Sequence, residues 1–109
     1  MEINFEEISF FIISYCGEAK SIAMDAISIM KKTKNVKEAL DKINEAEKLM
    51  IEAEKKHMDV ITDEANGIMH TPTVLFLHAE DQMLSTQTLM LMAREIIQLY
   101  DIIYTKIIK

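Results

Sequence analysis

The chain carries three histidines, His57, His70 and His78, and a single cysteine, Cys16. His78 stands in the most unusual company. In "VLFLHAEDQMLS", Val74 to Ser85, an apolar run is interrupted by His78, Glu80, Asp81, Gln82 and Ser85. On a helix advancing ~100° per residue, Asp81, Gln82 and Ser85 fall within about 60° of His78, while Glu80 points roughly to the opposite face. The four share one patch, bracketed by Val74 and Leu75 on one side and by Leu89 and Met92 on the other. Burying such groups unpaired costs about 1–3 kcal/mol each, and more for a carboxylate. The patch therefore calls for an internal hydrogen-bond network, a polar register device in a coiled coil, or an interface. At an interface, an imidazole can take a phosphoryl group on a ring nitrogen and hand it on, because histidine is a good nucleophile near neutral pH. That chemistry needs an accessible ring, a neighbour that fixes its tautomer, and donors for the added negative charge. Gln82 and Ser85 can donate, whereas ionised Asp81 cannot.

The remaining candidates lead elsewhere. "EKKH", Glu54 to His57, is the Glu-x-x-His unit of di-iron bundles, but such sites need two copies and two further glutamates, and no second copy exists. His57 is read instead as a bundle-edge histidine facing partner side chains or water. His70 has no partner pattern. One cysteine can form neither an internal disulfide nor a multi-cysteine metal site. With its apolar neighbours, Cys16 reads as a buried small hydrophobe, in keeping with a reducing cytoplasm. Two glycines cannot build a phosphate-cradling loop.

The elements that must position these residues are helices. The 109 residues suit a single small domain, 50% of them are hydrophobic, and Gly (2) and Pro (1) are too few for an all-β fold. A net charge of −6 disfavours nucleic acid. No run approaches the ~18 apolar residues of a membrane span, and "ISFFII" lacks the flanks of a signal peptide. Asn4 with Glu7, and Asn35 with Glu38, are capping pairs. Gly67 suits a left-handed helix end, and Pro72 a first turn. The spacing predicts an all-α, antiparallel, up-down-up three-helix bundle with helices over about 4–32, 35–66 and 72–107. The second helix repeats Val36, Ile43, Met50 and His57 with Ala39, Ala46, Ala53 and Val60 between them. The third repeats Leu75, Gln82, Leu89, Ile96 and Ile103 with His78, Ser85, Met92 and Leu99 between them. Threes and fours over several turns make a coiled-coil seam. Ile8, Phe10, Phe11, Ile12 and Ile13 cover nearly the whole circumference of the first helix, a surplus that points to self-association.

Three stretches resemble one known family. "IISYCGEAKSIAMDAI" (Ile12 to Ile27, with Gly17, Ala19, Ser21, Met24 and Ala26) is similar to a first-helix signature, and "EANG" (Glu64 to Gly67) to the end of a second helix. "LFLHAEDQML" resembles a third-helix motif usually written HAQDHLM. The family is the enzyme IIA component of the lactose/cellobiose (N,N′-diacetylchitobiose) branch of the bacterial phosphoenolpyruvate-dependent sugar phosphotransferase system. The resemblance spans about Glu7 to Tyr104. It implies a homotrimer of three-helix protomers, phosphorylated on His78. It also implies that Asp81 lies toward the trimer axis around a divalent cation, usually magnesium. Three carboxylates converging on an axis repel strongly, and a hard cation with oxygen ligands resolves that repulsion. The phosphoryl donor would be the phosphocarrier HPr and the acceptor a cysteine on enzyme IIB, with a sugar entering through the membrane component IIC. The chain departs from the motif twice: Glu80 stands where the family usually has glutamine, and Gln82 where it usually has a second histidine. Two other readings fit the residue types. One is a non-catalytic helical interaction or regulatory protein on the same scaffold; the other is an unrelated metal-binding bundle using His57 and Glu54.

Overall fold

A computed structural model describes residues 3–108. Three long helices follow one another, α1 (Phe5–Thr33), α2 (Val36–Ala65) and α3 (Val74–Ile102), and a π-helical turn (Ile103–Ile107) extends the last. The rod measures 59 × 21 × 20 Å. Because the helices run up, down and up, the start of α1, the end of α2 and the start of α3 meet at one end.

The ends are set by short polar side chains. Asn4 accepts from the Glu7 N–H at 3.0 Å, and Asn35 from the Glu38 N–H at 3.1 Å. Each such cap stabilises its helix by about 1 kcal/mol. Only Lys34 and Asn35 separate α1 from α2, with Lys34 in the left-handed region (φ 58°) and its N–H on the Met30 carbonyl. Helix α2 closes on Gly67 (φ 85°), the Ile68 N–H reaching Asp63 O and the Gly67 N–H reaching Glu64 O. This is the paired closure that a left-handed glycine permits. Helix α3 begins at Val74, two residues later than Pro72 suggests, since Thr73 is the cap and its hydroxyl accepts from the Phe76 N–H at 3.0 Å. Pro72 sits just outside the helix.

Each helix buries one stripe stepped mainly by threes and fours. On α1 it is Ile8, Ile12, Cys16, Ala19, Ala23, Ala26 and Met30; on α2, Ala39, Ile43, Ala46, Met50, Ala53 and Val60. The α2 stripe is the predicted one. On α3 the buried stripe is Phe76, Ala79, Met83, Thr86, Met90, Ala93 and Ile97. The predicted α3 seam lies one residue off: Leu75, Gln82, Leu89, Ile96 and Ile103 are only half-buried, and His78, Ser85, Met92 and Leu99 are exposed. Apolar residues cover most of this helix, so hydrophobicity does not choose the face. The small residues do, because Ala79 and Ala93 let the α3 backbone approach α1. Thr86 is tolerated inside because its hydroxyl donates to Gln82 O at 2.7 Å, as Ser9 does to Phe5 O at 2.9 Å. Helix α1 packs broadly on both others, while the α2–α3 contact is slighter. Polar cross-ties stitch that seam: Arg94 with Asn44 (3.2 Å) and Glu47, and Gln87 Nε2 to Glu54 Oε2 (3.0 Å). No described helix is long and apolar enough to cross a membrane.

Candidate functional site

His78 lies in the second turn of α3 and its ring is exposed. It borders a shallow depression of about 470 Å³ lined by Val74, Leu77, His78, Glu80, Asp81 and Leu84. Among the described residues, the ring has no hydrogen-bond or ion-pair partner. Asp81 and Ser85 are also exposed and Gln82 is half-buried. The fold therefore keeps the four side chains on one face, but no hydrogen bond joins them among the described residues. They are an open surface patch and not a closed internal network.

The other two histidines are held. His57 Nε2 is 2.7 Å from Glu80 Oε2, across the α2–α3 seam. His70 Nε2 is 2.8 Å from Asp63 Oδ2, tying the α2–α3 connection back to the end of α2. Four rings link the two pairs. His70 stacks on Phe5 with centroids 5.1 Å apart, Phe5 tilts against Phe76 at 4.5 Å, and Phe76 stacks on His57 at 6.0 Å. Sequence reasoning missed both carboxylate partners. The His57–Glu80 tie spans 23 residues and depends on how α2 is rotated against α3, which periodicity does not reveal. The Asp63–His70 tie, seven residues apart, was marked by the Gly67 turn between them.

Glu54 and His57 do not act together, since Glu54 accepts from Gln87 and His57 faces Glu80. No cluster of three His, Cys, Asp or Glu able to hold a metal occurs among the described residues. Asp81 is exposed between Leu77 and Leu84, and Glu80 is the other carboxylate that lines this depression. Cys16 is wholly buried, and burial pushes its thiol up to about 11; the Glu54 charge adds to that rise and Lys20 opposes it. It is a packing residue with little thiolate at neutral pH.

The site is thus an open imidazole beside polar side chains, on a three-helix scaffold whose other two histidines are paired with carboxylates. Residues 7–101 match the family described as "PTS system, Lactose/Cellobiose specific IIA subunit". The chain belongs to this family. It is 35% identical over 101 residues to the lichenan-specific phosphotransferase enzyme IIA component of Bacillus subtilis, covering 93% of this chain and 91% of that protein. It is 30% identical over 95 residues to the oligo-beta-mannoside-specific EIIA component of the same organism, covering 87% and 86%. Among solved structures, the cellobiose-specific enzyme IIA from Bacillus anthracis superposes with a TM-score of 0.89 at 32% identity, over 97% of this chain and 96% of that one. This IIA chain is thus a phosphotransferase component of a sugar-uptake system, built on the all-helical fold of its relatives.

Proposed function

We propose that this IIA chain is a cytoplasmic phosphocarrier whose His78 accepts a phosphoryl group from HPr and passes it to the cysteine of enzyme IIB. The sugar imported at the end of the relay is a β-linked disaccharide of the cellobiose, lactose or chitobiose type. The observation that carries this reading is the contrast between one exposed imidazole, without a hydrogen-bond partner among the described residues, and two that are tied to carboxylates. A lone pair on a neutral His78 ring nitrogen attacks phosphorus as the donor's phosphorus–nitrogen bond breaks. In the second step the IIB thiolate attacks, the His78 phosphorus–nitrogen bond breaks, and the pair of electrons returns to the ring. Gln82 and Ser85, within a turn or two of His78, offer N–H and O–H groups to the phosphoryl oxygens.

The assembly is a homotrimer. Val74, Leu77, Asp81, Leu84, Thr88 and Leu91 follow one another at threes and fours on α3 and are all exposed, Val74 by 83% and Leu91 by 70%. That is a second coiled-coil seam that nothing among the described residues covers. Asp81 sits within the seam, so threefold packing brings three carboxylates together. One chain offers a single ligand, and the donor set fits a hard divalent cation, Mg²⁺ by its preference for carboxylate oxygen, only when three copies converge. There the Asp81 side chains would hold it, and it would supply the positive charge that lets them approach.

Incubation with phosphoenolpyruvate, enzyme I and HPr is expected to place an acid-labile, base-stable phosphate on this chain, and His78→Ala to abolish it. Wild-type protein that stays unlabelled while HPr is labelled would refute the assignment. Sedimentation with and without a chelator reads the trimer and its cation independently of the labelling.

A further inference from the structure

Glu80 belongs to two places at once. It lines the shallow depression of His78, and it also lines a cleft of about 140 Å³ with Phe5, His57, His70 and Phe76. Its carboxylate is drawn into the second, with Oε2 2.7 Å from His57 Nε2. The His57 side chain is 17% exposed and that of Glu80 37%, so the donor is more firmly enclosed than the acceptor. The ring is also oriented, lying within 7° of parallel to Phe76. With Glu80 ionised, Nε2 must carry the hydrogen and donate it. No lysine or arginine pairs with Glu80 among the described residues, and His70, the other imidazole in the cleft, is engaged by Asp63. His57 is therefore the group that decides where the Glu80 charge sits.

That matters because His78 receives a doubly charged group two residues away. A carboxylate released into the depression would repel an incoming phosphoryl group, and the repulsion would persist in the phosphorylated product. Glu80 lines that depression, so its charge has to be kept out of the way. We propose that His57 is a positioning residue that holds the Glu80 carboxylate against α2 and so keeps its charge away from the phosphoryl group at His78. The inference rests on His78 being the acceptor.

The test is the initial rate of His78 labelling from phosphorylated HPr for wild type, His57→Ala, His57→Gln, Glu80→Gln and the double variant His57→Ala/Glu80→Gln. Each is checked for helical content and thermal midpoint. His57→Ala frees the carboxylate and is expected to slow labelling by roughly five- to tenfold, the size of one unscreened charge contact at partly solvated separation. His57→Gln keeps an N–H donor and is expected within about twofold of wild type. The double variant removes the charge and is expected to regain that rate. The deficit of His57→Ala should also shrink in high salt, which a packing defect would not do. A His57→Ala chain that labels at the wild-type rate, or one that stays slow after Glu80→Gln, would overturn the inference and leave the acceptor assignment standing. An unlabelled wild-type chain would remove the assignment and this inference together.

Discussion

His57 and His70 sit at the same end of the bundle as His78, yet the two neighbourhoods are opposites. Around His57 and His70, each ring is engaged by a carboxylate, and the rings are stacked in a row between α1, α2 and α3. Around His78, the ring stands in the open beside exposed Leu77 and Leu84. The same side chain is a strut in one place and, on the function proposed above, a nucleophile in the other. What distinguishes them is whether the fold supplies a partner. A group meant to receive something from a partner has to be left unsatisfied by its own fold, while the row of rings and its two carboxylate ties hold this end of the bundle together.

The contrast is sharpest at neighbouring residues about 100° apart on α3, one turned inward and one outward. Phe76 is 7% exposed and bridges Phe5 to His57, whereas Leu77 is 55% exposed on the open face. Phe76→Ala is expected to cost about 3–5 kcal/mol in denaturant unfolding, the range for a buried aromatic. Leu77→Ala also removes a large apolar side chain, yet is expected to change protomer stability by no more than about 0.5 kcal/mol. It should instead weaken the proposed threefold assembly in sedimentation. Equal costs for the two in unfolding would mean that the open face is not open in the protomer.

Cys16 extends the contrast to the other nucleophilic side chain. It is silenced by burial, which raises its thiol from 9.0 to about 11. A raised acid binds its proton more tightly in the folded state. The contribution is therefore fully present below about pH 9 and is lost as pH climbs toward 11, amounting to about 2–3 kcal/mol for two pH units. Cys16→Ala or Cys16→Ser should flatten that alkaline part of the stability curve. In the native wild type, alkylation at about pH 8, below the ordinary thiol range, should be slow and limited by unfolding. Rapid alkylation of folded protein would contradict the burial.

Much of this was readable beforehand, for identifiable reasons. Asn4 and Asn35 announced the starts of α1 and α2 because a cap is a local bond between a side chain and an amide three residues on. The α2 seam was readable because lysines and glutamates fill its other faces and leave one apolar stripe. On α3 that contrast is missing. Leucines and methionines occur on several faces, and the residue that breaks the apolar pattern of the true core, Thr86, hides by bonding to its own helix. The alternation of Ala79, Met83, Thr86, Met90, Ala93 and Ile97 was present in the sequence, but only the fit against the alanines of α1 and α2 selects it. The His78 patch was visible as four residues on one face, since spacing along one helix is geometry that a sequence contains. The partners of His57 and His70 depended on docking between elements, and Glu80, read as pointing away from His78, proved to be turned toward α2.

A more modest loss than that of Phe76→Ala separates strut from acceptor most cleanly. His70→Ala deletes the tie to Asp63 and one end of the ring stack. The two side chains in that pair are each 19% exposed, so the loss is more than that of a surface pair, and leaving the part-buried carboxylate unpaired costs about 1–2 kcal/mol. In a chain of this size that is a fall of about 4–8 °C in thermal midpoint per kcal/mol. Labelling of His78 at a temperature where the variant is folded should be unchanged, because His70 is paired with Asp63 and, among the described residues, makes no hydrogen bond or ion pair with His78 or Glu80. His78→Ala is expected to do the reverse, leaving the midpoint where it was and removing the label. If His70→Ala lost the label without losing stability, the two neighbourhoods would be one site and the division of labour between them would have to be abandoned.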